Sequence, residues 1–113
     1  MATIKSFTDI SQSKTLSKIL PLESADMYWW SSGKRYYIEA IDDGDFNEEE
    51  GHVRAWSLAA LLSVLPDYTL QDNPDGTVFV VSEKEKPIMS DDYANPVDAC
   101  VAMIEKLNEL KML

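Results

Sequence analysis

Apolar positions along the chain alternate between a helical and a strand-like period. Between Thr8 and Leu20, the residues Ile10, Leu16, Ile19 and Leu20 form a narrow stripe at helical spacing. Thr8-Asp9-Ile10-Ser11 offers side-chain oxygens to the free N–H groups of a first turn, and Pro21 stops the segment. This predicts a short helix. From Met27 the period falls to two: Met27-Tyr28-Trp29-Trp30 and Arg35-Tyr36-Tyr37-Ile38-Glu39-Ala40-Ile41 are aromatic, β-favouring runs around Ser31-Ser32-Gly33-Lys34, which predicts a hairpin. In its second strand Tyr36, Ile38 and Ala40 share one face, and Tyr37, Glu39 and Ile41 share the other.

From Val53 to Leu65 the helical period returns, with Leu58, Leu61, Leu62 and Leu65 as one stripe beside a second of Val53, Trp56, Ala60 and Val64. A helix apolar on two sides is expected at the centre of the fold, ended by Pro66. Tyr68-Thr69-Leu70 and Thr77-Val78-Phe79-Val80-Val81 flank the turn formers Asp72-Asn73-Pro74-Asp75-Gly76, predicting a second hairpin. Glu83-Lys84-Glu85-Lys86 alternates in sign like a solvated strand end, and residues 87–94 read as an irregular connection. Asn95-Pro96-Val97-Asp98 carries a helix start: Asn at the cap, Pro in the first turn, and an acid at the positive end of the dipole. Val97, Cys100, Val101, Ile104, Leu107 and Leu110 then mark one buried face.

The predicted class is α+β: helix, hairpin, helix, hairpin, helix, with a four-stranded, mostly antiparallel sheet and the helices packed on one face. Leu20-Pro21 and Leu65-Pro66 each close a helix before a hairpin, a hint of a duplicated αββ unit, although Leu-Pro is a common helix ending. At 113 residues the chain fits a single domain over 1–113. No apolar run reaches the roughly 20 residues of a membrane span, and Met1 to Ile10 lacks the features of a secretion signal, so a cytoplasmic location is expected.

Charge changes this picture at one place. The formal net charge is -10. Residues 1–41 carry five Lys/Arg against four Asp/Glu, and residues 51–113 carry five against ten. The acids Asp42, Asp43, Asp45, Glu48, Glu49 and Glu50 crowd into one stretch without a base, expected as a flexible acidic connection over 42–51. The acidity argues against direct binding of nucleic acid or of anionic membranes, both of which need cations on the protein.

Candidate chemistry is thin. As an EF-hand loop starting at Asp43, the acidic stretch places Glu48 where Gly is needed and Arg54 where the closing Glu belongs, so calcium is not supported. One Cys and one His are too few for a zinc site of the usual kind, and no metal or cofactor is expected. Cys100 with His52 could form a nucleophile and base, but Cys100 lies on the apolar stripe of the last helix, which favours a core thiol. His52 reads as a surface residue beside the acidic run. Four glycines leave little room for a phosphate-cradling loop, and no carboxylate pair is set apart by its surroundings, so an enzyme is not expected.

The aromatic hairpin is the more informative feature. Trp29, Trp30, Tyr36 and Tyr37 sit on adjacent strands, and alternation puts one of each pair on each face. One face meets the helices; the other offers a Trp and a Tyr to a partner, or only a stabilising cross-strand pair.

Two groups of segments also carry a resemblance. Phe7-Thr8-Asp9-Ile10-Ser11-Gln12-Ser13 with Leu20-Pro21-Leu22-Glu23-Ser24-Ala25-Asp26-Met27-Tyr28-Trp29 is one. Ala55-Trp56-Ser57-Leu58-Ala59-Ala60-Leu61-Leu62-Ser63-Val64-Leu65-Pro66 with Asn95-Pro96-Val97-Asp98-Ala99-Cys100-Val101-Ala102-Met103-Ile104-Glu105-Lys106-Leu107 is the other. The chain resembles small uncharacterised proteins of phages and prophages of gut Bacteroidetes. The resemblance implies a phage-type cytoplasmic accessory protein and carries over no functional residue.

Together these readings favour a non-enzymatic protein acting through an unknown protein partner, with the aromatic hairpin as its surface. An acidic decoy that imitates nucleic acid to block a DNA- or RNA-binding enzyme is the alternative, followed by a small enzyme of unknown reaction. The doubly apolar helix and the aromatic hairpin leave room for a homodimer.

Overall fold

The computed structural model describes residues 5–41, 46–83 and 87–113. Helix α1 covers Ile10–Leu16. Asp9 caps it: its carboxylate accepts from the Gln12 N–H at 2.8 Å, and Gln12 Oε1 accepts from the Asp9 N–H at 3.0 Å. The helix ends one turn before the expected Leu20. The Ser13 carbonyl accepts from both the Ser17 N–H and the Ser17 hydroxyl, a local bond that competes with continued helix, and the chain reaches Leu20 through hydrogen-bonded turns.

Strands β1 (Met27–Ser31) and β2 (Tyr36–Ala40) form the expected first hairpin, with Trp30 opposite Tyr37 and Trp29 opposite Ile38. The segment expected to begin the central helix departs from that reading. Val53–Ala55 is a strand, β3, antiparallel to the other edge of β1, and the helix that follows, α2, covers only Leu58–Val64. Ser57 separates the two, its hydroxyl accepting from the Ala60 N–H at 3.2 Å as the cap of α2. Asp26, just before β1, holds this cap in place through the Ser57 N–H at 2.8 Å and the Ser57 hydroxyl.

The second hairpin pairs β4 (Tyr68–Asp72) with β5 (Val78–Ser82). Gly76, at φ +89°, takes the left-handed position that its turn requires. Residues 87–94, expected to be irregular, contribute a two-residue strand, β6 (Ile88–Met89), on the far side of β5. Helix α3 runs from Pro96 to Glu109 under an Asn95 cap, as its start signal predicts.

The fold is therefore α+β, with two three-stranded antiparallel sheets ordered β2-β1-β3 and β4-β5-β6 in place of one four-stranded sheet. Each hairpin takes its third strand from a segment whose local pattern suggests something else. The two units share the order α-β-β-β, but the first centres on its first strand and the second on its middle strand, so they are not copies.

Helix α3 packs on β5, α2 and α1, and α1 packs on β3. One core cluster joins Leu16, Trp56, Leu61, Val80, Cys100, Met103, Ile104 and Leu107, all fully buried. No helix among the described residues is long and apolar enough to cross a membrane.

Candidate functional site

The first sheet has two unlike faces. Met27, Trp29, Ile38, Val53 and Ala55 point to the side occupied by α1 and the N-terminal segment. There Trp29 meets Phe7 edge-on, with ring centroids 5.6 Å apart, and its indole N–H donates to the Thr8 carbonyl at 3.0 Å. Trp29 is thus tied into the fold, half-buried.

Tyr28, Trp30, Tyr37, Glu39 and Arg54 point the other way, where the returning segment 46–52 lies against them. Glu48–Glu50 makes one 3-10 turn, capped by Asn47 and closed by Gly51 at φ +81°. This turn brings Phe46 and His52 back over Tyr28. The His52 ring stacks on Tyr28 at 5.1 Å, and Phe46 meets Tyr28 edge-on at 5.5 Å. Tyr28 is 1% exposed yet belongs to no part of the main core, so this cluster is a separate aromatic layer. Its hydroxyl donates to Glu39 Oε2 at 3.0 Å.

His52 is not the surface residue that its acidic neighbours suggest: its side chain is 13% exposed. Nδ1 accepts from the Asn47 N–H at 3.0 Å, which leaves Nε2 as the protonated nitrogen of the neutral ring, 3.6 Å from Glu50. Arg54 lies over the face of Phe46 with its guanidinium carbon 4.4 Å from the ring centre, and its Nε donates to Glu48 at 3.2 Å.

Above this layer, Trp30 stacks on Tyr37 with centroids 4.7 Å apart. The Trp30 indole nitrogen is buried and has no hydrogen-bond partner among the described residues. Between Trp30, Tyr28, Glu39 and the 46–52 segment opens a cleft of about 600 Å³. Sequence alone does not reveal it, because no local signal says that residues 46–52 fold back onto β1.

The four hairpin aromatics expected to form a partner surface thus separate by exposure. Tyr36 and Tyr37 are 51% and 40% exposed, whereas Trp29 and Trp30 are half-buried. Of the acidic stretch, Asp42, Asp43 and Asp45 lie outside the described residues, while Glu48, Glu49 and Glu50 are exposed on their turn. Among the described residues no group of three or more His, Cys, Asp or Glu is arranged to hold a metal.

Cys100 and His52 are not brought together as a nucleophile and base. His52 has its contacts in the Tyr28 layer, and Cys100 is fully enclosed in the core, where burial pushes its thiol up to about 12.

The backbone of β2 offers a second kind of site. The Ile41 N–H donates to the Asp26 carbonyl and the Ser32 N–H to the Arg35 carbonyl. An antiparallel ladder alternates, so Tyr28/Glu39 and Trp30/Tyr37 are the bonded pairs of β1 and β2. The N–H and C=O groups of Tyr36, Ile38 and Ala40 then point away from β1. Among the described residues no strand pairs with that edge.

Comparison of the chain with family models, with curated proteins and with solved structures finds no match.

Proposed function

We propose that this chain is a non-enzymatic, phage-type cytoplasmic accessory protein that holds an extended segment of a protein partner along β2. The observation that carries the reading is the edge of β2 that no strand covers among the described residues, with outward backbone groups at Tyr36, Ile38 and Ala40 and two exposed tyrosines on the same strand. A segment added there gains main-chain hydrogen bonds, and alternate side chains meet Tyr36 on one face and Tyr37 on the other. Tyrosine adds large contact area at little entropic cost. The phage-type assignment rests on the resemblance of the quoted segments.

The test is selection of extended peptides from a display library against the whole chain. Binding is then measured to Ala40→Pro, Tyr36→Ala, Tyr37→Ala, Trp29→Ala and Trp30→Ala variants. Ala40 is exposed and its N–H points outward, so proline there removes a docking group without removing a β1–β2 hydrogen bond. Loss of binding in Ala40→Pro and in either tyrosine variant is expected. Ligands that bind Ala40→Pro as well as the parent would sink the reading. Light scattering distinguishes the related case in which β2 pairs with a second copy of this chain.

A further inference from the structure

We propose that the groove at the outer edge of β3 binds an extended, acidic segment of a partner protein. The site lies across the first sheet from β2 and does not require strand addition there.

Three cations meet in this groove although the chain as a whole has a net charge of -10. Lys14 reaches it from α1, Lys18 from the turn that follows, and Arg54 from β3. Both lysines are exposed, and neither has a carboxylate partner among the described residues. Arg54 gives its Nε to Glu48, the one acid of the lining, and that bond does not engage its two terminal nitrogens. His52 and Ser17 add no acid. Three positive charges against one negative make this a local site of attraction for anions, in a molecule whose overall charge repels them.

The backbone adds a donor. Trp56 turns its N–H and C=O away from β1, as its bonds to Thr8 show. Alternation gives Arg54, two residues earlier, the same orientation, with Met27/Ala55 and Trp29/Val53 as the bonded pairs of β1 and β3. The N-terminal segment follows this edge only as far as Thr8 before α1 begins at Ile10, and among the described residues no strand lies beyond Arg54. An outward amide thus stands beside the three cations.

The kind of anion follows from the rest of the wall. Leu22, 38% exposed, and Val53 supply apolar surface in a groove of about 460 Å³. A bare inorganic anion would leave that surface uncovered, and a nucleic acid needs cations along a longer track than these three. An extended peptide with carboxylates on alternate residues and an apolar side chain among them meets the cations, the amide and the apolar wall together.

The whole chain is titrated with the blocked pentapeptide Glu-Ser-Glu-Leu-Glu, with its counterpart Gln-Ser-Gln-Leu-Gln and with blocked glutamate alone, followed by the backbone amide signals in NMR spectra at about 0.15 M salt. Saturable binding of the acidic peptide at about millimolar concentration or below is expected, with the glutamine peptide and the single glutamate each about tenfold weaker or more. Shifts should centre on Arg54 and Lys18, and affinity should fall as salt is added.

Lys14→Glu with Lys18→Glu, both on exposed side chains, should weaken binding about tenfold or more while leaving the folded spectrum intact. Lys34→Glu with Lys111→Glu makes the same change of net charge on exposed lysines elsewhere and should stay within about twofold of the parent. Ala40→Pro should leave binding unchanged, which separates this site from the edge of β2. Equal binding of the glutamine peptide or of single glutamate, equal losses in the two double variants, shifts centred away from the groove, or no saturable binding of the acidic peptide would overturn the proposal.

Discussion

Thr8 and Trp56, 48 residues apart, are joined by two hydrogen bonds: the Thr8 N–H donates to the Trp56 carbonyl at 2.9 Å, and the Trp56 N–H donates to the Thr8 hydroxyl at 3.1 Å. Trp56 sits between β3 and α2, where the chain leaves the sheet and neither element can satisfy its amide. The Thr8 hydroxyl also bonds the buried Ser13 hydroxyl of α1 at 2.7 Å. One threonine thus links the strand-to-helix junction to the first helix.

Replacing Thr8 with Val keeps the shape and strands the Trp56 N–H and Ser13 hydroxyl in the core. An unpartnered buried polar group costs about 1–3 kcal/mol, so Thr8→Val should lose about 2 kcal/mol or more in urea unfolding. Thr8→Ser, which keeps the hydroxyl and loses only a methyl, should lose about 1 kcal/mol. Equal losses would show that the hydroxyl contributes little.

A second junction ties the N-terminal segment to α3. Asp98 accepts from Lys5 at 2.8 Å, Gln12 at 2.8 Å and Asn95 at 2.9 Å. Burial acts to raise its carboxyl, but the hydrogen bonds from Lys5, Gln12 and Asn95 and the Lys5 charge outweigh it, holding the group below its ordinary 3.8. Burial likewise acts to lower Lys5, and its bonds and charge pairing with Asp98 and Asp9 leave it above 10.5. A carboxyl depressed in the folded state stabilises the fold above its unfolded value, and that contribution is lost as pH falls through the folded value. A lysine raised in the folded state contributes fully below 10.5 and loses the contribution as pH rises through its folded value.

The urea midpoint of the parent should therefore fall on the acid side below about pH 4 and on the alkaline side above about pH 10.5. Asp98→Asn should flatten part of both limbs. Asp75, held below its ordinary value by hydrogen bonds from Thr77, keeps some of the acid limb in place. Unaltered slopes in Asp98→Asn would mean that the pair does not couple folding to pH.

The elements that were legible in the sequence are those specified by their own residues. Asn95, Pro96 and Asp98 announce α3, and Asp72 to Gly76 announce the second turn, because caps and turns are local chemistry. Strand β3 was hidden because Val53, Trp56, Ala60 and Val64 fit a helical stripe whether or not the first two are helical. Ser57 was the available signal, a capping residue inside a supposed helix. What decides the outcome is the free edge of β1, which lies far away in sequence. The same holds for Ile88–Met89 against β5, and for the cleft, which exists only once 46–52 folds back over Tyr28.

Cys100 supplies a simpler test. Its thiol is fully buried and pushed up to about 12, so little thiolate exists at neutral pH and no path reaches it. Alkylation of the native protein with iodoacetamide should be slow and should accelerate through the urea transition together with the loss of structure. Rapid labelling of the folded chain at neutral pH would place the thiol outside the core and reopen its use as a nucleophile.

The alternation of the β1–β2 ladder makes a prediction at single-residue level. Tyr37, Glu39 and Ile41 direct their N–H groups to β1, whereas Tyr36, Ile38 and Ala40 direct theirs to the open edge. Hydrogen exchange of the free protein should therefore alternate along β2, fast at 36, 38 and 40 and slower at 37, 39 and 41. The contrast should be largest at Ile38 against its neighbours, since strand ends fray. A peptide that adds as a strand should slow exchange at Tyr36, Ile38 and Ala40 while leaving the inward set nearly unchanged, because those amides already have partners. Uniform protection along β2 in the free chain would show that its edge is already covered, and strand addition there would have to be abandoned.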